Sequence, residues 1–155
     1  MRVRVIAVGT RMPAWVRSAC AEYLQRLRAG LPLELEEIDT ASRRAGGTPR
    51  ALAREGERLL AALEPHEYVI ALDERGRELT TQELARWLAA RMQQGEDLAF
   101  VIGGPDGLAP AVLARCNLRL ALSRLTLPHA LARVLLTEQL YRAHCILANH
   151  PYHRD

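Results

Sequence analysis

Three short segments of the sequence carry residues of the kinds that bind ligands or take part in catalysis. The first is a glycine-rich run at residues 103–107 (Gly-Gly-Pro-Asp-Gly), directly after an apolar stretch. Glycines allow the backbone to approach a ligand closely and to expose its amide groups. The run lacks the lysine of a Walker A loop and the spacing of a dinucleotide fingerprint. It therefore predicts either a ligand-binding loop of another kind or a tight turn between a strand and a helix.

The second segment, residues 123–129 (Ser-Arg-Leu-Thr-Leu-Pro-His), joins a predicted strand to a long predicted helix. Thr126 is placed to cap that helix, and Pro128 is expected in its first turn. His129 has the chemistry of a general base. The alternative interpretation of His129 is a surface histidine at the start of a helix.

The third segment is the C-terminal tail, which includes His150, Tyr152, His153 and Arg154. An imidazole, an aromatic ring and a guanidinium together suit stacking on a base and binding of phosphate. A frayed terminus is the alternative. In the helix before the tail, Glu138 and Arg142 are four residues apart, in the order that favours a helical ion pair.

Apolar strand-like runs alternate with amphipathic segments along the chain. The predicted strands are residues 3–8, 33–38, 67–73, 98–102 and 118–122. The predicted helices are residues 14–29, 50–63, 80–92 and 110–116, and a long helix that follows Pro128 and ends near Leu147. Such alternation predicts an α/β fold with a mostly parallel sheet and helices on both faces. In such sheets ligands bind beyond the carboxyl ends of the strands. We therefore expect residues 72–73, 103–107 and 123–129 to converge on one pocket.

Length and composition predict one globular domain, residues 1–155, in the cytoplasm. The chain has 155 residues and a net charge of +3, and every basic residue is arginine. Its three cysteines are widely spaced, which favours reduced thiols over disulfides or a metal site. No signal sequence or membrane-spanning stretch is evident. The last helix is apolar over more than one stripe, which indicates either a subunit interface or a central core helix.

The positive charge is concentrated in the C-terminal third of the chain. Residues 107–155 contain six arginines and only two acidic residues, a surplus of four, whereas the remainder has a net charge of −1. Four of the five histidines lie in the same stretch. The basic part of the chain is thus the part with the candidate catalytic residues.

Taken in chain order, these motifs closely resemble the small SPOUT-class (α/β trefoil-knot) methyltransferases of the RlmH type. The matching stretches extend over essentially the whole chain and are residues 5–13, 22–24, 55–57, 70–73, 101–108, 122–129, 133–134, 138–143 and 149–154. Each stretch alone is weak, but the ordered set is highly specific. The polar loop at residues 41–49 is the least similar to the family.

The resemblance implies a trefoil-knotted fold, a homodimer and S-adenosyl-L-methionine (SAM) as methyl donor, with no metal and no membrane partner. The reaction implied is methylation of N3 of a pseudouridine in 23S rRNA, pseudouridine-1915 of helix 69, in the assembled ribosome. By motif, the implied cofactor residues are Leu72, Gly103, Gly104, Ser123, Arg124, Leu125, Thr126, Leu127 and Pro128. The active site is expected to combine the cofactor of one subunit with the C-terminal tail of the other.

The N3 nitrogen of pseudouridine must lose a proton to become a good nucleophile, so a base or a donor to the developing oxyanion is needed. The candidates for these roles are His153, Tyr152 and Arg154, with Arg142 and His129 in support. Two other classes of function stay open. A nucleotide or phosphate-ester enzyme would bind ATP rather than SAM, and a non-catalytic ribosome-binding factor would leave the rRNA unmethylated.

Overall fold

The strands of the protein form one fully parallel five-stranded sheet. The computed structural model describes residues 1–44 and 46–153, and the side chain of residue 153 is not described. The strands are β1 Val3–Val8, β2 Leu33–Ile38, β3 Tyr68–Glu78, β4 Leu98–Ile102 and β5 Leu118–Ala121. Their order across the sheet is β2-β1-β4-β3-β5. β1 is an interior strand, and its Val3 pairs with Leu33 on one side and Leu98 on the other.

Helices cover both faces of the sheet, as the alternation of segments predicts. They are α1 Ala14–Leu27, α2 Gly47–Ala62, α3 Thr81–Gln93, α4 Pro110–Arg115 and α5 His129–Leu147, and a single 3₁₀ turn, Pro151–His153, follows. α5 packs against α1 and α3 on one face, while α2 and α4 contact each other on the opposite face. The two faces have separate apolar cores, centred on fully buried residues such as Phe100 and Val101 respectively.

Local sequence signals account for several details of the fold. Thr80 caps α3 through a capping box, because its side chain accepts the Glu83 N–H at 3.1 Å and Glu83 in turn accepts the Thr80 N–H at 2.8 Å. β2 is an edge strand with alternating exposure. Cys20 and Cys145 are buried free thiols, and burial raises the pKa of the partly buried Cys116 thiol to about 11. No helix in the described residues is long and apolar enough to cross a membrane.

The prediction that Thr126 caps the last helix is wrong. α5 begins at His129, and the residue at the N-cap position is Pro128, which makes no side-chain capping bond. Thr126 lies too far before the first helical turn to reach its free N–H groups. Its hydroxyl instead donates to Glu74 Oε2 at 3.1 Å.

Two element boundaries differ from the predictions by three residues or more. β3 continues past Asp73 to Glu78, and its pairing with β5 shifts register between Leu72 and Arg77. α2 begins at Gly47, so the polar loop is shorter than expected. Residues 73–78 of β3 are charged or glycine, so the apolar pattern of the sequence did not indicate that the strand continues beyond Asp73.

A buried ion pair joins β1 to the segment that precedes β3. Arg4 is 4% exposed and Glu67 is 3% exposed, and Arg4 Nε donates to Glu67 Oε2 at 2.9 Å. Arg4 also donates to the Ala62 carbonyl at 2.9 Å, at the end of α2. This pairing lowers the pKa of Glu67 against the opposing effect of its burial. A charge this deeply buried is tolerated only when it is paired.

Candidate functional site

Three segments line a single cleft of about 890 Å³: two follow the carboxyl ends of β4 and β5, and the third is the stretch of β3 at its register shift with β5. They are the glycine loop (residues 103–107), the β3 wall (residues 72–75) and the hinge loop (residues 123–128). The three strands are neighbours, so the expected convergence of these segments is confirmed. A cleft of this size is large enough for a nucleotide-sized ligand.

The glycine loop folds back tightly on itself. The Gly107 N–H donates to the Gly104 carbonyl at 3.0 Å, and Gly107 has a φ of 79°, in the region that favours glycine. A Cβ atom on Gly103 would lie 2.4 Å from the Gly107 carbonyl oxygen. A side chain at Gly103 would therefore force the backbone of the loop to move. The loop is both a tight turn and a wall of the cleft, so the two interpretations of the sequence are compatible.

The β3 wall brings charged groups to the cleft. It consists of Leu72, Asp73, Glu74 and Arg75, at the register shift with β5. Asp73 Oδ1 accepts the Arg75 N–H at 3.0 Å. The exposed Arg119 of β5 adds a further cation to the cleft wall. Carboxylates and guanidinium groups are thus both available to a ligand.

The hinge loop closes the cleft opposite the glycine loop. Ser123 Oγ accepts the Leu125 N–H at 2.9 Å, and the bond from Thr126 to Glu74 ties this loop to the β3 wall. The cleft lining includes eight of the nine residues predicted from the sequence to bind the cofactor. These are Leu72, Gly103, Gly104, Ser123, Leu125, Thr126, Leu127 and Pro128. The ninth, Arg124, is outside the lining, and its 86% exposed side chain lies 4.0 Å from Glu78.

His129 is the predicted catalytic residue that the structure places at the cleft. Its side chain is partly buried, and burial together with the nearby Arg133 cation lowers its pKa. Arg133 is itself 1% exposed, pairs with Glu37 and donates to the Gly9 carbonyl at 3.1 Å. The neutral form of His129, which can accept a proton, is therefore favoured at neutral pH.

Tyr152 belongs to a polar and aromatic cluster at the other end of α5. Its hydroxyl lies 3.2 Å from Glu138 Oε1 and 3.3 Å from the Tyr23 hydroxyl. The Tyr152 ring packs edge-on against Tyr141, with 4.6 Å between ring centroids, and the Arg142 guanidinium lies 4.8 Å from its centre. Burial, the Tyr23 hydroxyl and the Glu138 charge raise the pKa of Tyr152, so its phenol stays protonated. Tyr152 is thus a hydrogen-bond donor rather than a base.

Within one chain His129 lies apart from the two other candidate catalytic residues whose side chains are described, Arg142 and Tyr152. His129 and Arg142 are on the same helix, and a rise of 1.5 Å per residue separates them by about 20 Å. Arg142 pairs with Glu138 at 2.7 Å, as the spacing predicts, and neither Arg142 nor Tyr152 lines the cleft. The side chain of His153 and the whole of Arg154 lie outside the described residues.

Sequence reasoning missed two contributors to these sites. Glu138 was expected only to pair with Arg142, yet its carboxylate also accepts from Tyr152 and Gln139. Glu74 was not singled out, yet it lines the cleft and binds Thr126. Glu74 belongs to no recognisable local motif, and the contacts of Glu74 with Thr126 and of Glu138 with Tyr152 join residues that are distant in sequence. No cluster of three potential metal ligands occurs within residues 1–44 and 46–153.

The basic C-terminal stretch is partly neutralised inside the protein. Arg115 donates to three backbone carbonyls, including that of Glu67 at 3.1 Å, while Arg133 and Arg142 are paired with carboxylates. Among the described residues of this stretch, the exposed arginines near the cleft are Arg119, in its wall, and Arg124, beside it, and the exposed Arg75 of the β3 wall adds a third cation. The positive surface near the cleft is therefore smaller than the sequence count indicates.

Comparison with known proteins identifies relatives along the whole chain. A family described as "Predicted SPOUT methyltransferase" matches residues 1–153. A curated Bordetella pertussis protein named ribosomal RNA large subunit methyltransferase H is 53% identical over 155 residues, which cover 99% of each chain. The Burkholderia mallei protein of the same name is 50% identical with the same coverage.

Solved structures share the fold. A probable methyltransferase from Bordetella pertussis superposes with a TM-score of 0.59 over 92% of this chain and 95% of that chain, at 22% sequence identity. A probable methylase family protein from Haemophilus influenzae superposes with a TM-score of 0.57 over 97% of this chain and 69% of that chain, at 17% identity. At these identities the structures support the α/β methyltransferase architecture and nothing more specific.

Proposed function

The chain belongs to the SPOUT methyltransferase family, and on this basis we propose that it uses SAM to methylate N3 of a pseudouridine in 23S rRNA. The target we propose is pseudouridine-1915 of helix 69, in the assembled ribosome. The full-length identity of 50–53% to relatives named as large-subunit rRNA methyltransferases supports an rRNA substrate. The observation that carries the proposal is the cleft formed by the glycine loop, the β3 wall and the hinge loop.

The residues of the cleft fit SAM. SAM has a cationic sulfonium, an amino acid end that carries an ammonium and a carboxylate, and an adenosine group. The cleft offers the carboxylates of Asp73 and Glu74, the guanidinium groups of Arg75 and Arg119, and the side chains of Leu72, Leu122 and Leu127. Gly103 has no room for a side chain, so the backbone itself forms that part of the wall. These groups would hold the charged and apolar parts of SAM respectively.

When bound, SAM supplies an electrophilic methyl group, so the protein has to orient the nucleophile, exclude water and remove the N3 proton. Among the candidates whose side chains are described, His129 is suited to take this proton on a ring nitrogen, because burial favours its neutral form. Tyr152 is suited to donate its phenol proton to the oxygen that gains negative charge, in exchange for its hydrogen bond to Glu138. His153 and Arg154 complete the proposed catalytic set together with Arg142.

We propose that the active site is shared between the subunits of a homodimer. In a single chain the Tyr152 hydroxyl is bonded to Glu138, which is about 14 Å along α5 from His129, too far for Tyr152 and His129 to act on one base. The tail of a second subunit, laid against the cleft, would remove this separation. A two-fold arrangement repeats the contact and produces two equivalent sites. Partly exposed apolar residues of α5, among them Leu131 and Leu135, offer an apolar surface for such an interface.

The remaining parts of the proposal follow from family membership and substrate. We propose that residues 1–155 form a single SPOUT domain, that its C-terminal part is threaded as a trefoil knot, and that the protein works in the cytoplasm, where ribosomes are assembled. No metal is required by the chemistry, because the methyl group of SAM is already activated.

Mass spectrometry of 23S rRNA tests the proposed function. Ribosomes from cells that lack the protein should lose one methyl group at the proposed pseudouridine, and the purified protein with SAM should restore it. Calorimetry should show binding of SAM and none of ATP. Binding of ATP alone would favour a phosphate-ester enzyme, and binding of SAM without rRNA methylation would favour a ribosome-binding factor.

A further inference from the structure

A buried carboxylate lies directly behind the glycine loop. Glu55 is in the middle of α2, is 1% exposed, and has no direct access to the cleft lining. A Cβ atom placed on Gly104 would lie 3.8 Å from Glu55 Oε1, so this carboxylate packs against the glycine loop. A carboxylate in such a position is stable only when donors compensate the loss of its hydration.

The compensating donors come from the polar loop between β2 and α2. The Ala41 N–H donates to Glu55 Oε2 at 3.0 Å, and Arg43 Nη1 also donates to that oxygen. Arg43 Nη2 donates to the other oxygen, Glu55 Oε1, at 3.3 Å. The part of the polar loop that contains these residues is therefore fixed on the buried carboxylate.

Arg43 also reaches the glycine loop itself. Its Nη2 lies 2.8 Å from Asp106 Oδ2, and its Nε lies 3.3 Å from the same oxygen. Asp106 is close to the tip of the glycine loop, one residue before Gly107. Arg43 thus connects the carboxylate behind the loop to the carboxylate at its tip.

The bonds of Arg43 use all of its donor capacity. A guanidinium has five N–H groups, and those of Arg43 are directed at Glu55, Asp106 and the Ala41 carbonyl. Its side chain is 30% exposed, yet no N–H is left for a phosphate of the substrate. The neighbouring Arg44 is exposed and has no ion pair among the described residues, so the two adjacent arginines differ in role.

We propose that Arg43 is a positioning residue, which holds the glycine loop in the shape that binds SAM by bridging Asp106 to Glu55. It acts through the loop and does not touch the cofactor. The inference rests on the proposed function, because it takes the glycine loop as part of the SAM site. It also gives a role to the polar loop, the segment least similar to the family in sequence.

A double-mutant cycle measured by calorimetry with SAM tests the proposal. Asp106→Ala breaks the contact with the loop and leaves the Arg43–Glu55 pair in place, and Arg43→Ala removes both contacts. Each variant should weaken SAM binding about tenfold, and the double variant should bind no more weakly than Arg43→Ala alone. Arg44→Ala is the matched control and should bind SAM as the wild type does.

Three further readouts separate positioning from a general loss of structure. Asp106→Ala should keep the thermal midpoint of the wild type, because the buried Glu55 stays paired. Arg43→Lys should recover only part of the affinity, because one ammonium cannot match the fork that spans two carboxylates. With saturating SAM, Arg43→Ala should recover most of the wild-type kcat.

Two results would overturn the proposal. Normal SAM binding by Asp106→Ala would show that the bridge does not shape the loop. Additive losses in the double variant would show that Asp106 and Arg43 act independently, for example through direct contact of Asp106 with SAM. Absence of SAM binding by the wild type is a different result, which would remove the proposed function and this inference with it.

Discussion

The Tyr152 hydroxyl lies 3.2 Å from Glu138 Oε1, so the C-terminal tail is attached to the same helix that begins with His129 at the cleft. The same Glu138 oxygen also accepts from Arg142 Nε at 2.9 Å. One carboxylate therefore orients two of the proposed catalytic side chains. This relationship fixes the Tyr152 side chain on α5.

Replacement of the Tyr152 hydroxyl should slow catalysis and leave cofactor binding intact. In Tyr152→Phe the ring still packs on Tyr141, while the hydrogen bond to the developing oxyanion is lost. Turnover on ribosomes should fall by roughly 10²-fold, with the affinity for SAM unchanged. Tyr68→Phe is the control, since Tyr68 is at the amino end of β3, far from the cleft. Unchanged turnover in Tyr152→Phe would remove the phenol from the catalytic set.

His129 should determine the acidic limb of the pH–rate profile. Burial and the Arg133 cation lower its pKa below 6.5, and only the neutral imidazole can accept the N3 proton. The wild type should therefore keep its kcat/KM as the pH falls to about 6.5 and lose it at lower pH. His129→Asn should show low activity and no such limb. A variant with wild-type activity and the same limb would assign the base to another residue, His153 being the next candidate.

The two partly buried histidines of α5 should make stability depend on pH. Burial lowers the pKa of His129 and of His144 below 6.5, so the unfolded chain binds more protons than the native one as the pH falls through 6.5. Their contribution to stability is complete above that pH and declines below it. Urea unfolding should show a lower midpoint at about pH 5.5 than at about pH 7.5. His144→Gln should reduce this difference, and an unchanged difference would contradict the assignment.

Loss of the buried carboxylate at Glu67 should destabilise the fold without a direct effect on the cleft. Glu67→Ala leaves the Arg4 guanidinium buried with Glu36 as its one remaining carboxylate partner among the described residues. The free energy of unfolding should fall by about 3–5 kcal/mol. Urea denaturation measures the change, and Glu34→Gln, in an exposed pair with Arg2, should be indistinguishable from the wild type. A loss as small as that of the control would show that the buried pair contributes little.

Two inactive variants should restore activity when their subunits are mixed. Gly103→Ala disturbs the cleft, because a Cβ would meet the Gly107 carbonyl, and Tyr152→Phe impairs the tail. If a site combines one cleft with the tail of the partner, each mixed dimer has one intact site. Equal mixing after unfolding and refolding together should give about a quarter of wild-type activity. Activity no higher than that of the separate variants would place the whole site within one chain.

The sequence predicts the parallel sheet and its helices because apolar periodicity reports directly on burial. The five strands and five helices were all expected, and the convergence of three segments on one cleft was expected from the rule for the carboxyl ends of parallel strands, although one of these segments, residues 72–75, is part of β3 itself. The extension of β3 was missed because its last residues are polar and pair with β5 at a shifted register. The local pattern of apolar residues gives no information about a shifted pairing between two strands.

Contacts between distant segments could not be predicted. Thr126 was expected to cap α5 because its side chain is typical of that role, but its hydroxyl binds Glu74, 52 residues away. The bridge from Arg43 to Glu55 and Asp106 likewise joins three segments, one of which has no recognisable motif. The separation of the tail from the cleft depends on the length and direction of α5, which only the assembled structure provides.

The position of β1 between β2 and β4 has a consequence for synthesis of the chain. β1 is complete after Val8, but the strand that covers its second edge, β4, begins only at Leu98. Until about 100 residues have been made, a nascent chain can pair β1 only with β2, and an apolar edge stays open. The closing contact between β1 and β4 spans most of the molecule, so we expect slow folding and a benefit from chaperones that shield strand edges during translation.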